Sequence, residues 1–106
     1  DGTQFRDFVH VSDVVNANIM SMNSDITHEF FNVGTNTTIT ILDLAKTIIE
    51  CSGLNIEPIF GPALDGDVHQ TKANIDLIKK KIGWEPSVML VDWVKDIISS
   101  KKFNEI

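Results

Sequence analysis

Apolar residues recur along the chain in short, separated blocks whose spacing predicts strands alternating with helices. Phe5, Phe8, Val9 and Val11 interleave with Arg6, Asp7 and His10 as a strand does, and Ser12-Asp13 follows as an N-cap pair. Val14, Val15, Asn18, Ile19 and Met22 then lie near helical spacing, predicting a helix over 12–22 that ends in the polar Asn23-Ser24-Asp25 turn. Phe30-Phe31-Asn32-Val33-Gly34 is expected as a short buried strand entering a turn. The clearest helix follows: Ile41, Leu44, Ala45, Ile48 and Ile49 share one face, with Thr40 as N-cap, Asp43 as a capping acid and Gly53 as the stop. Ile56 to Phe60 is expected as a second short strand, at an edge because Pro58 lacks a donor. Asn74 caps a predicted helix with Ile75, Ile78 and Ile82 inward and Lys79, Lys80 and Lys81 outward, broken by Gly83-Trp84-Glu85-Pro86. Leu90, Val91, Val94, Ile97 and Ile98 mark a last helix over 89–100, and the tail from Ser99 to Ile106 is expected to fray. Phe30, Phe31, Trp84 and Trp93 are assigned to the core.

This pattern is α/β, yet three strands make a thin sheet, and much of its apolar surface calls for a partner. The 106 residues, 42% hydrophobic and 23% charged, suffice for a single domain, 1–106, with a modest core. The net charge of −6 is unevenly spread: residues 1–70 hold two cations against ten anions, residues 71–106 seven lysines against five acids. Phosphate-backbone binding needs a basic face, so nucleic acid is not the expected partner, and the lysine-rich end reads as solvated helix surface. The lone Cys51 leaves no intramolecular disulfide, and a reducing cytoplasm is the expected compartment. No apolar run approaches the roughly 18 residues of a membrane span. His10, His28 and His69 lack metal-ligand spacing.

The chain's only arginine, Arg6, stands inside an apolar run, where a guanidinium either pairs with the adjacent Asp7 or awaits an anion. The string Arg6-Asp7-Phe8-Val9-His10-Val11-Ser12-Asp13 resembles the Arg-Asp-Phe/Tyr-x-x-Val-x-Asp motif of extended short-chain dehydrogenase/reductases, the NAD-dependent sugar-nucleotide epimerases and dehydratases. Four further features match that family in order: Phe31-Asn32-Val33-Gly34, Leu42-Asp43-Leu44-Ala45 after Thr40, Gly66-Asp67 followed by Thr71, and Ile82-Gly83-Trp84-x-Pro86. The resemblance implies the C-terminal, substrate-binding part of an extended Rossmann-type enzyme, with short strands and about four helices forming the substrate lobe. Such an enzyme is roughly three times longer, so the chain, which opens Asp1-Gly2, is read as a piece whose NAD-binding N-terminal portion is absent.

Carried over by position, the resemblance implies that Arg6 binds the diphosphate of a nucleotide sugar, a UDP-sugar first, and that Phe8 lines the nucleotide site. Ile41 would pack on the base or ribose, Asp67 would accept from ribose hydroxyls, and Thr71 would lie at the pocket edge. Arginine's fork suits phosphate, and a carboxylate after a glycine turn suits paired hydroxyls. Asp67 is equally open to a purely structural role, bracing the loop before Thr71. Asp13 and Asp43 are read as cap residues. Many relatives carry a second diphosphate-binding arginine where this chain has Leu64, a loss on the order of 1.5–3 kcal/mol for a charge-assisted contact.

The chain has no tyrosine and no glycine-rich phosphate loop, so the family's Tyr-x-x-x-Lys pair and its NAD site are expected upstream or not at all. Alone, it is expected to bind no NAD and to catalyse nothing. In the whole protein, taken by resemblance as a homodimer, hydride transfer between sugar and NAD would serve epimerisation, at C4 in the first instance, or dehydration. The alternative is a non-catalytic scaffold or oligomerisation module derived from the family.

Overall fold

The computed structural model describes residues 1–100. In chain order it contains β1 (Phe5–Arg6), α1 (Val11–Met22), β2 (Ile39–Thr40), α2 (Ile41–Ser52), α3 (Asp76–Ile82) and α4 (Leu90–Ser99). β1 and β2 pair antiparallel, Phe5 with Thr40 and Arg6 with Ile39. On the other edge of β1, Gln70 bridges Phe5 in parallel: Phe5 N–H donates to His69 O at 2.8 Å and Thr71 N–H to Phe5 O at 3.1 Å. The short β1 is thus the middle of three chain segments.

The expected opening strand stops at Arg6, because the next residue, Asp7, commits its carboxylate to two loop segments rather than continuing the ladder. Its Oδ1 accepts from Thr35 N–H and Oγ1 at 2.9 and 2.6 Å, and its Oδ2 from Asn36 and Ala73 N–H at 3.0 and 3.2 Å. The strands expected at 30–34 and 56–60 are also not formed, for want of a neighbouring strand among the described residues to share their hydrogen bonds. Phe30 is 91% exposed and Ile59 96%, so neither belongs to the core, and Trp93 is likewise partly exposed.

The helices follow the sequence closely. α2 starts at its Thr40 cap, whose Oγ1 accepts from Asp43 N–H at 3.0 Å, and ends at Gly53, whose φ of 70° suits glycine. α1 begins at Val11 with His10 as N-cap, so Ser12 and Asp13 lie in its first turn and Asp13 is not a cap. Asn74 Oδ1 accepts from Asp76 N–H at 2.9 Å just ahead of α3, and Gly83 closes α3 with φ 73°. α4 matches its predicted span to within a residue at each end, and the tail beyond Ser100 lies outside the described residues.

The core is small. Trp84, fully buried, packs with Ile75, Ile78 and Ala17, flanked by Met20, Phe31, Val33, Ala73 and Ile82. α2 and α4 pack on each other, yet α2 buries no residue completely despite its regular apolar face. No helix among the described residues is long and apolar enough to cross a membrane.

Candidate nucleotide-sugar site

Alternation along β1 places Gln4 and Arg6 on one face of the strand. The segment held beside Phe5 by the Gln70 bridge leads back through Asp67 to a turn closed by Asp67 N–H donating to Leu64 O at 3.3 Å, with Gly66 at φ 77°. The result brings together residues 61 apart in sequence: Arg6 Nη2 donates to Asp67 Oδ1 at 2.7 Å. Gln4 Nε2 reaches Asp67 Oδ2 at 3.4 Å, and Arg6 Nη1 donates to Phe5 O at 2.7 Å. Arg6 does not pair with Asp7, whose carboxylate is taken up by Thr35, Asn36 and Ala73. The guanidinium is ordered by two partners and keeps donors free for a ligand.

Ile41 stands at the end of the same ladder, its N–H donating to Gln4 O at 3.0 Å, and its side chain is partly exposed. Arg6 and Asp67 thus meet on one edge of β1, while Ile41, at the end of β2, lies across the strand on its other edge. Phe8 lies elsewhere, lining an apolar hollow of about 270 Å³ with Val9, His10, Val11, Val88, Leu90 and Trp93, and a second hollow beside Ile39 and Leu90. Thr71, held to Phe5 through its main chain, lines a polar hollow of about 330 Å³ with Asp7, Asn32, Gly34 and Lys72. Leu64, 78% exposed, projects from the Asp67 turn where an arginine would supply charge, and Asp65 beside it is exposed.

Sequence reasoning missed three residues. Gln4 was detectable from period 2, two positions before Arg6. Asp7 joins the loops at 35–36 and 73, a contact no local pattern encodes. Asp13 is 2% exposed: Oδ2 accepts from Ser87 and Val88 N–H, each at 3.0 Å, and Oδ1 from Ser87 Oγ at 2.8 Å. Burial alone would raise its pKa, but the bonds from Val88 and Ser87, with the positive field of His10, outweigh it and hold the carboxyl below its ordinary 3.8.

The sheet among the described residues is antiparallel, and α2 begins at Thr40-Ile41 with no glycine at its N-terminus to admit a pyrophosphate. No group of three or more metal-ligating side chains gathers among the described residues.

Residues 1–34 match the NAD dependent epimerase/dehydratase family. UDP-glucose 4-epimerase 3 of Oryza sativa subsp. japonica is 32% identical over 101 residues, which cover 91% of this chain and 27% of the rice protein. UDP-glucuronic acid decarboxylase 4 of Arabidopsis thaliana is 37% identical over 90 residues, 85% of this chain and 20% of the plant protein. The crystal structure of UDP-glucose 4-epimerase with UDP-glucose from Thermotoga maritima superposes with a TM-score of 0.90 at 35% identity, covering 100% of this chain and 34% of that one. The chain thus spans between 20% and 34% of the length of these relatives.

Proposed function

Given that this chain is, in sequence and in fold, a part of the NAD dependent epimerase/dehydratase family, we propose that residues 1–106 are the substrate-binding portion of a UDP-sugar enzyme. The observation that carries this reading is the pairing of Arg6 with Asp67 beside β1, with Ile41 across the strand at the end of β2. There Arg6 takes the diphosphate, Asp67 the ribose hydroxyls, and Ile41 offers apolar surface to the base. Binding energy from this nucleotide handle, remote from the reacting carbon, positions the sugar. Phe8 lines a separate apolar hollow, and Thr71 follows Asp67 along the segment bridged to Phe5.

The reaction is read as epimerisation at C4. The rice and Thermotoga proteins are UDP-glucose 4-epimerases, whereas the Arabidopsis protein is a UDP-glucuronic acid decarboxylase. A uridine diphosphate sugar is the ligand class these names share. NAD would supply hydride transfer in the whole protein, held by residues outside this chain, and the chain alone is read as inactive. The exposed face of α1, with Val11, Val15, Ile19 and Met22, is where an N-terminal portion would seat.

In the whole protein, Arg6→Ala is expected to weaken UDP-glucose binding by roughly 10- to 100-fold, the worth of a charge-assisted hydrogen bond, with NAD affinity unchanged. Calorimetric titration checks it; unchanged UDP-glucose affinity removes Arg6 from the site. A second reading, a scaffold that has lost nucleotide binding, draws on the exposed Leu64 and on the neutralisation of Arg6 by Asp67. It predicts no response of the unmutated whole protein to any UDP-, GDP- or dTDP-sugar.

A further inference from the structure

The ion pair at the centre of this edge has a consequence for how a ligand enters. Both oxygens of Asp67 are engaged, Oδ1 by Arg6 and Oδ2 by Gln4. Arg6 is tied to its own strand through Phe5 O, and β1 is flanked on both edges. Asp67, by contrast, sits in a stretch, 61–70, in which every residue is exposed and which carries only one turn and the Gln70 bridge. Such a segment opens at low cost, so the partner free to move is the carboxylate and not the guanidinium. Charge points the same way. Arg6 faces Asp67 directly and Asp65 lies two residues away, so the closed edge has a net charge of −1 and opposes a diphosphate.

We infer that Asp67 is a latch whose contact with Arg6 makes diphosphate and ribose recognition a single exchange of partners. The phosphate displaces the carboxylate from Arg6, and the freed carboxylate turns to the hydroxyls of the same ligand. The inference rests on the reading of Arg6 as the phosphate residue. Inorganic pyrophosphate opens the latch without satisfying Asp67, and uridine satisfies Asp67 only by stripping Arg6 of its partner. Only a ligand with both groups leaves neither charge unpaired, so the latch selects nucleoside diphosphates over either half alone.

The experiment is calorimetric titration of the 106-residue chain with inorganic pyrophosphate and with UDP. Asp67→Asn, which removes the competing charge, should tighten pyrophosphate binding about three- to fivefold, the upper part of the scale of one partly exposed ion pair. The same change should lower the preference for UDP over pyrophosphate. Asp65→Asn removes a neighbouring charge that makes no contact with Arg6 and should change pyrophosphate affinity less than twofold. An equal gain from Asp65→Asn reduces the effect to general electrostatics and overturns the latch. So does an unchanged or undetectable pyrophosphate affinity in Asp67→Asn. Adding Arg6→Ala to Asp67→Asn separates the two claims: pyrophosphate binding that survives it sinks the role of Arg6 itself, whereas binding lost on Arg6→Ala without any gain from Asp67→Asn sinks only the latch. Asp67→Ser repeats the series should the asparagine variant lose its native spectrum.

Discussion

Asp13 is a carboxylate that the sequence assigns to a helix cap and the structure places in the first turn at 2% exposure, fastening the segment after Trp84 to α1. Its own main-chain oxygen adds a fourth bond, accepting from Trp84 Nε1 at 3.0 Å, so one residue holds the core tryptophan and the Ser87-Val88 segment together. Asp13→Asn sets an amide N–H₂ among donors and should cost about 1–3 kcal/mol, read from the urea midpoint at neutral pH. The sign with pH is fixed by a folded pKa below the unfolded one. Stability from Asp13 is complete above the unfolded value, about 3.9, and is lost as pH falls through the folded value. The wild-type midpoint should therefore fall on acidification below about pH 4, and this part of the slope should be missing in Asp13→Asn; equal slopes would remove Asp13 as its source.

At the scale of elements, a two-residue strand is held in register by side-chain bonds rather than by its ladder. Asp7 ties β1 to the loops that carry Thr35 and Ala73, and Gly34 is the point of closest approach. A Cβ at Gly34, itself buried, would stand 2.5 Å from Ala73 Cβ and 3.0 Å from Asp7 Oδ2. Gly34→Ala should thus destabilise the chain by about 1–3 kcal/mol through overpacking. Ala73→Gly in the same chain should recover most of that loss, and a double-mutant cycle on thermal midpoints measures the coupling. Additive effects would mean that the two loops do not meet as described. The Gln70 bridge depends on the same clasp, since Ala73 lies three residues beyond it, and through that bridge Asp67 is kept opposite Arg6.

The whole molecule is flat and extended, 52 × 35 × 20 Å with a radius of gyration of 16.6 Å, against about 13 Å for a compact domain of this length. α1 explains part of this. Asp13 and Ala17 face inward, while Val11, Val15, Ile19 and Met22, spaced for the opposite face, are 70%, 50%, 50% and 82% exposed. A helix with buried residues on one side and exposed apolar ones on the other is suited to lie between two layers, and the described residues supply one. The 106-residue chain alone should self-associate as its concentration rises, and Val15→Lys with Ile19→Lys should sediment as a monomer with its unfolding midpoint within about 0.5 kcal/mol of the wild type. Sedimentation equilibrium decides; a wild-type chain monomeric throughout would show that the stripe is not adhesive.

By itself the sequence determined what local periodicity and composition can carry. The helices at 41–52, 76–82 and 90–99, the glycine stops at 53 and 83, the burial of Trp84 and the family were all legible, because each is specified within a turn or two of chain or by an ordered set of motifs. Arg6, Ile41 and Asp67 could be named from motif positions, but not the 2.7 Å pair between Arg6 and Asp67. The strands at 30–34 and 56–60 were overread because a strand is stable only with a neighbour, and alternation in sequence does not supply one. The cap at Ser12-Asp13 was misplaced because a carboxylate in a first turn has two options, its own helix or a distant backbone, and only packing chooses between them. Tertiary structure alone decided that Asp7 serves loops rather than Arg6, and that Asp67 lies across the guanidinium. Both contacts join residues tens of positions apart, where side-chain geometry and not sequence spacing sets the partner.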